Sequence, residues 1–347
     1  MSATRTSARQ ALFTGLFAAG TARAAYALLV AHPPGGVQMW TRTNHRGEPV
    51  TLLEGPAVAA GAIIAVTVAS GAPSRSGAAA ALAGVGAAAF GGYDDLAGSG
   101  DRRGFRGHLA ALRGGELTTG ACKLGGIGAT GLACAAALGG RGVDVAINAG
   151  LIAGGANLIN LFDLRPGRAI KVALAAAAAL GAAVRPGAAH GSAAVAGSAV
   201  ALLPEDLGER AMLGDSGANA VGAVLGVAAA SLPRGPRLVL LAGITGLTAA
   251  SEVISFTKVI ERTAPLRWLD MLGRRRPARV PAPAPEPPAD PLGSAEPDGA
   301  AGSRTPSGVD SSTPGGLNGE GATAAGAAPR GGHLRAPRGT PQPPTTT

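Results

Sequence analysis

Charged positions along this chain come in short clusters, and between the clusters run long stretches with none. A helix needs about 20 apolar residues, within a range of roughly 17 to 25, to cross the hydrocarbon core of a bilayer. The pattern predicts nine such helices, over residues 10–31, 55–72, 76–92, 124–140, 145–162, 172–184, 186–203, 216–233 and 238–256. Arg23 interrupts the first and Glu252 falls near the end of the ninth. The sixth is short, but Lys171 and Arg185 flank it and can snorkel to lengthen it. Small residues abound in all nine, which favours close helix packing in lipid. The expected fold is an all-α polytopic membrane helix bundle of about nine transmembrane helices.

The connections are of two kinds. Tiny ones fall near residues 72–75, 141–144, 185–187 and 233–237, and longer polar ones at 32–54, 93–123, 163–171, 204–215 and after 256. With nine helices, each kind collects on one side of the membrane. The longer set holds Arg42, Arg46, Arg102, Arg103, Arg106, Arg113, Lys123, Arg165, Arg168, Lys171, Arg210, Lys258, Arg262 and Arg267, whereas the tiny set holds Arg75, Arg141, Arg185, Arg234 and Arg237. Positive charge marks the cytoplasmic side, so the longer loops are expected there. Arg5 and Arg9 run against the outside N-terminus that this implies.

Composition sharpens this picture. Charged residues make up 15% of the chain, against about 25% in ordinary soluble domains. Ala and Gly fill the apolar stretches, so mean hydropathy is only +0.25 and a soluble Ala-rich helical protein is the competing class. Buried soluble helices rarely lose polar residues for about 17 positions, which favours the membrane reading. The net charge of +9 comes from arginines scattered over many loops, with 3% aromatic residues and no basic stripe interleaved with stacking side chains. Nucleic acid is therefore not an expected partner. Cys122 and Cys134 are too far apart along one helix to bridge and read as packing residues. No cleavable signal peptide is evident. After "LGRRRPAR" the chain turns to Pro, Gly, Ser, Thr and Ala, a composition that cannot bury a core. The expected organisation is an N-terminal tail (1–9), a membrane domain (10–275) and a disordered tail (276–347).

Three polar clusters interrupt the apolar pattern at helix ends on the predicted cytoplasmic side. They are "YDDLAGSGDRRGFRGH" with Asp94, Asp95 and His108, "NLINLFDLRPGRAIK" with Asn157, Asn160, Asp163, Arg165 and Lys171, and "MLGDSGANAVG" with Asp215. Each taken singly could be a helix cap or turn. Together they concentrate acids on one face, while the tiny loops opposite hold only Asp144. Asn157 and Asn160 share a helical face, and Asn157 lies inside the fifth segment. Polar groups within a membrane segment are costly and usually functional. Carboxylates are hard-oxygen ligands for Mg²⁺, and Arg and Lys bind phosphate. The set suits phosphoryl transfer. No zinc spacing, Walker loop or dinucleotide fingerprint competes.

The order "YDD", "NLINLFD", "LGDSG", each at a cytoplasmic helix end, resembles the polyprenyl-phosphate sugar-1-phosphate transferases. That superfamily includes phospho-N-acetylmuramoyl-pentapeptide transferase and polyprenyl-phosphate N-acetylglucosamine-1-phosphate transferase. The loop "RTNHRGEPVTLLEGP" also looks like the family's loop after its first helix, and the likeness covers most of residues 10–260. The resemblance implies a bundle of about ten membrane helices in the cell membrane with a cytoplasmic active site. It implies a Mg²⁺-dependent transfer of a phospho-sugar from a UDP-sugar to a polyprenyl phosphate, releasing UMP, in cell-envelope glycan assembly. Carried over, Asp94 and Asp95 match the paired aspartates of the metal site and lipid-phosphate activation. Asn160 and Asp163 match the asparagine–aspartate motif, and Asp215 matches the metal-binding aspartate. Asp94, Asp95 and Asp163 are thus the catalytic candidates, and Asp215 and Asp95 the metal ligands. Asn157, Asn160, Lys123, His108, Arg165 and Lys171 are the substrate-binding candidates. A homodimer is compatible with this reading.

The chain departs from the family in three places. "LRPGR" stands where "G-x-D-G" usually follows the second motif, the late histidine-rich loop is missing, and so is a tenth helix. A second reading is therefore a non-catalytic relative that binds polyprenyl phosphate or an envelope-assembly partner. A transporter is a third, disfavoured because the acids collect at one face and not at mid-membrane.

Overall fold

A computed structural model describes residues 2–69, 74–98, 107, 111–182 and 186–275. The tail 276–347 and His108 lie outside the described residues. The order is α1 (Ser2–Ala31), α2 (Val37–Trp40), β1 (Thr41–Thr43), β2 (Pro49–Thr51), α3 (Glu54–Ala69), α4 (Arg75–Ala97), α5 (Thr119–Ala137), α6 (Val143–Phe162), α7 (Arg168–Gly181), α8 (Pro186–Leu207), α9 (Gly214–Ala230), α10 (Arg234–Ser251), α11 (Phe256–Arg262) and α12 (Ala264–Met271). Most of each of the nine apolar segments is helical among the described residues, so the all-α class holds. The helix that begins at Ser2 takes in the segment read as an N-terminal tail.

Crossing a membrane is a stronger statement than being helical. By length and hydropathy, two described helices qualify, residues 8–31 and α6, with α10 and α11 as a third span if that pair, bent by 96°, counts as one. The reason lies in composition. Ala and Gly contribute little hydropathy, α3 has 16 residues and α7 only 14, and 14 residues of helix span roughly 21 Å.

Helix α9 sits at the centre and is buried around nearly its whole circumference. Helices α3, α4, α6, α7 and α8 surround it, while α1 packs on α3 and α8, α5 on α4 and α6, and α10 on α6. Glycine makes the centre possible. A Cβ on Gly217 would collide with the Gly55 backbone of α3, and one on Gly91 of α4 with the Asp215 carbonyl. The core between the helices is built from small and branched side chains such as Val58, Leu151, Ile170, Val195, Leu202 and Val221. Outer helices instead expose large apolar side chains, among them Leu16 at 66% and Val239 at 73%.

The loop 32–54 contains a hairpin. β1 and β2 pair antiparallel, Arg42 opposite Val50. Asn44 Oδ1 accepts from the amides of Arg46 and Glu48, and Gly47 takes φ 81° to close the turn. Trp40, Leu52 and Leu53 root the hairpin in the bundle, and Thr51 bridges to Ala211 beside the start of α9.

Candidate functional site

Four of the expected residues meet at one end of the bundle. Helix α4 continues past its apolar stretch to Ala97, so Asp94 and Asp95 lie in its final turns. Helix α5 starts earlier than its apolar run, at a Thr118 cap that accepts from the Ala121 amide at 3.1 Å, which places Lys123 in its second turn. Asp215 occupies the first turn of α9. Lys123 Nζ lies 2.7 Å from Asp94 Oδ2 and also pairs with Asp215 Oδ2. Asp215 and Thr119 also lie close enough to Asp94 to help lower its pKa.

Asp95 does different work. Its Oδ1 accepts from the Asp215 amide at 3.0 Å and its Oδ2 from the Ser216 amide at 2.9 Å. A side chain from α4 thus caps α9, satisfying amides that have no partner within that helix. Gly214, at φ 59°, brings the amides into position, and a Cβ there would crowd both Asp95 oxygens at 3.0–3.1 Å. Arg42 of β1 donates to the Asp95 carbonyl, tying the hairpin to the end of α4.

Electrostatics separates the carboxyls. Burial and the neighbouring Asp215 charge push Asp95 up to about 7, against its two amide hydrogen bonds. Burial also raises Asp215, which Lys123 only partly offsets. Burial opposes ionisation of Asp94 too, but the neighbouring Asp215 and Lys123 outweigh it and hold Asp94 below the usual carboxylate range. Asp94 is therefore the carboxylate of the set held most firmly in its ionised form.

Beside this constellation is a cleft of about 450 Å³ between the hairpin and the helix ends, lined by Asn44, His45, Asp163, Arg165, Asp206 and Glu209. Asp163 caps the C-terminal end of α6, is 9% exposed, and leaves Oδ2 without a hydrogen-bond partner among the described residues. Burial and then the charges of Asp206, Asp215 and Asp95 raise its pKa well above normal. Burial keeps His45 below its ordinary value. Asp206 Oδ1 caps α7 through the Gly167 amide at 2.8 Å. Glu54, fully buried at the start of α3, has no hydrogen-bond partner for either oxygen among the described residues, and burial and then Asp206 and Asp163 push its pKa well up.

Asp206 supplies a pH prediction. Burial lifts it from 3.8 to about 6. The folded state holds this proton more tightly than the unfolded one, so stability falls as pH rises from about 4 to about 6. Asparagine keeps the acceptor for Gly167 and removes the charge. The Asp206→Asn protein is expected to exceed the parent in stability at pH 7.5 by up to about 3 kcal/mol and at pH 5 by roughly half as much. The same difference at both pH values would refute this account.

Other expected residues lie elsewhere. Asn157 donates to Thr248 Oγ1 of α10 at 3.4 Å, an interhelical bond. Asn160 is half-buried on the same face of α6 and makes no side-chain hydrogen bond among the described residues. Lys171 donates to the carbonyls of Leu269 and Asp270, capping the end of α12. Arg165 lines the cleft. Arg168, at the departure from the family pattern, reaches Asp270 with two hydrogen bonds of 2.7 and 3.2 Å and Thr257 at 3.1 Å, pinning α11 and α12 to the start of α7. Sequence reading passed over Arg42, Thr119, Glu54, Asp206 and Glu209. The acidic run "PEDLGER" at the end of an apolar helix was the signal available for two of them.

A divalent cation finds a limited donor set here. Asp94 and Asp215 converge on one point, and that point is taken by the Lys123 ammonium. No group of three or more His, Cys, Asp or Glu side chains is arranged to hold a metal among the described residues. Mg²⁺ commonly binds through one or two carboxylates with waters and substrate phosphates completing its shell, and a pair of aspartates fits that mode. No family model matches the chain, and no curated protein matches it.

Proposed function

We propose that the protein is a multi-pass membrane enzyme that moves a sugar-1-phosphate from a UDP-sugar to a polyprenyl phosphate at the cytoplasmic face. The observation that carries this reading is the convergence of Asp94 and Asp215, from two different helices, on Lys123 at one end of an apolar bundle. The large apolar side chains exposed on the outer helices support a lipid environment. An interfacial site suits a reaction between a water-soluble nucleotide and a lipid phosphate.

In the proposed reaction an oxygen of the lipid phosphate attacks the sugar-bearing phosphorus of the UDP-sugar. A new diphosphate bond forms to the lipid, the bond to the UMP oxygen breaks, and UMP leaves with that electron pair. Asp94, in the last turns of α4, accepts a hydrogen bond from the protonated lipid phosphate and orients its attacking oxygen. Asp95 positions the first turn of α9, and with it Asp215. Lys123 holds the two carboxylates and offers its charge to the incoming phosphates. Asp163 and Arg165 face the neighbouring cleft, where Arg165 offers a fork to phosphate oxygens. Bound Mg²⁺, held by Asp215 with Asp94 or Asp95, would supply neutralisation of the diphosphate charge.

One observation favours the non-catalytic alternative: Lys123 fills the point on which the aspartates converge. A single assay separates the two. Purified protein given polyprenyl phosphate, Mg²⁺ and a panel of UDP-sugars is expected to release UMP and form a lipid diphosphate sugar, with neither product when Mg²⁺ is chelated. Binding of polyprenyl phosphate without UMP from any donor would favour the binding protein.

A further inference from the structure

The end of the bundle opposite the aspartates carries a second polar cleft, of about 500 Å³. It lies among the start of α4, the turn after α5, the first turns of α6 and α10, and the end of α9. Along α4 it is roughly 28 Å from Asp94 at 1.5 Å per residue.

Its side chains form a built arrangement. Arg237 is 12% exposed, and its guanidinium donates to Asn148 Oδ1 at 2.7 Å and Asp144 Oδ1 at 2.9 Å. Asn148 is itself buried, at 5% exposure. Arg234 reaches the other Asp144 oxygen at 3.2 Å. Arg141 lines the cleft, and Arg75 extends its guanidinium over Gly139 in the same turn. Neither Arg75 nor Arg141 has an ion pair or side-chain hydrogen bond among the described residues. Of these four guanidiniums Arg234 and Arg237 pair with Asp144, the acid among the residues that line the cleft.

We infer that this cleft is a binding site for a phosphate group, unconnected with the aspartate site. Asn148 and Asp144 fix Arg237 in place, so its orientation is set before any ligand arrives. Arg75 and Arg141 stand exposed at the rim, ready to close on an anion. A guanidinium presents a planar fork that matches phosphate oxygens. The volume exceeds that of a bare phosphate and admits a phosphorylated headgroup. In a bilayer this end lies at the outer surface of the proposed orientation, where the phosphate could come from an anionic lipid or from solution. The inference does not rest on the transferase reading.

Hydrogen exchange of residues 139–148 in the full-length protein tests it. In phosphate-free detergent, inorganic phosphate is added at constant ionic strength against chloride. In parallel, the protein is placed in nanodiscs of phosphatidylglycerol or of phosphatidylcholine without free phosphate. Slowing of exchange at least fivefold by inorganic phosphate assigns a free anion. Slowing confined to phosphatidylglycerol assigns a lipid headgroup. Either supports the site, provided the protection is lost in the Arg75→Gln/Arg141→Gln protein, whose exchange in α9 should match the parent. Because both side chains are exposed, that protein is expected to fold, and Arg141→Gln alone provides a second test. No protection in either arm, or the same protection in the double variant, overturns the proposal.

Discussion

Asp94→Asn and Asp215→Asn are each expected to lower UMP release by at least 100-fold, about 2.7 kcal/mol of transition-state stabilisation, while leaving the melting temperature within a few degrees of the parent. Asp94 is the more firmly ionised carboxylate on Lys123, and Asp215 is its partner across the same ammonium. Neither side chain carries backbone structure. Asp95→Asn should behave differently. Its oxygens hold the Asp215 and Ser216 amides, and an amide group offers only one acceptor oxygen to them. Activity and stability should therefore fall together. Turnover retained in both Asp94→Asn and Asp215→Asn would sink the proposed chemistry, whatever Asp95→Asn does.

The second large effect lies away from that site. Asp270→Ala is expected to cost about 3–5 kcal/mol, the usual range for stranding a buried charge. The Asp270 side chain is 7% exposed, and it holds Arg168, itself 4% exposed, and Arg274 at 2.8 Å. Its loss leaves two buried guanidiniums facing each other. Thermal unfolding should report the cost, and limited proteolysis should cut α11 and α12 first, since Arg168 also binds Thr257 at 3.1 Å. A melting temperature unchanged by Asp270→Ala, with the C-terminal helices still protected, would show that this network does not hold them.

The sequence was most informative where polar groups stand at the ends of apolar runs. Burial cost makes Asp94, Asp95, Asp163 and Asp215 conspicuous, and three of these four share one constellation around Lys123. What stayed hidden depends on long-range geometry. The capping role of Asp95 requires Gly214 to turn back toward α4, and nothing near Asp95 in the chain announces it. Arg168 looked like a departure from a family pattern until Asp270, far along the chain, supplied its partner. The hairpin was passed over because its strands have three residues each, although the Asn-x-x-Gly run between β-formers is a legible turn signal. The nine helices were legible from charge spacing, whereas Ala and Gly blur the hydropathy that would mark each one as a span.

The burial of α9 has a practical side. Its Gly217 meets the backbone of α3, and its Gly222 and Gly226 meet that of α6, so no enlarged side chain can be seated at these positions without moving a neighbouring helix. Helix α10 has no buried residue and offers the natural place for spectroscopic reporters. The first turn of α9 carries Asp215 and its last turns border the arginine cleft. One rigid rod therefore sets the position of both polar ends of the molecule.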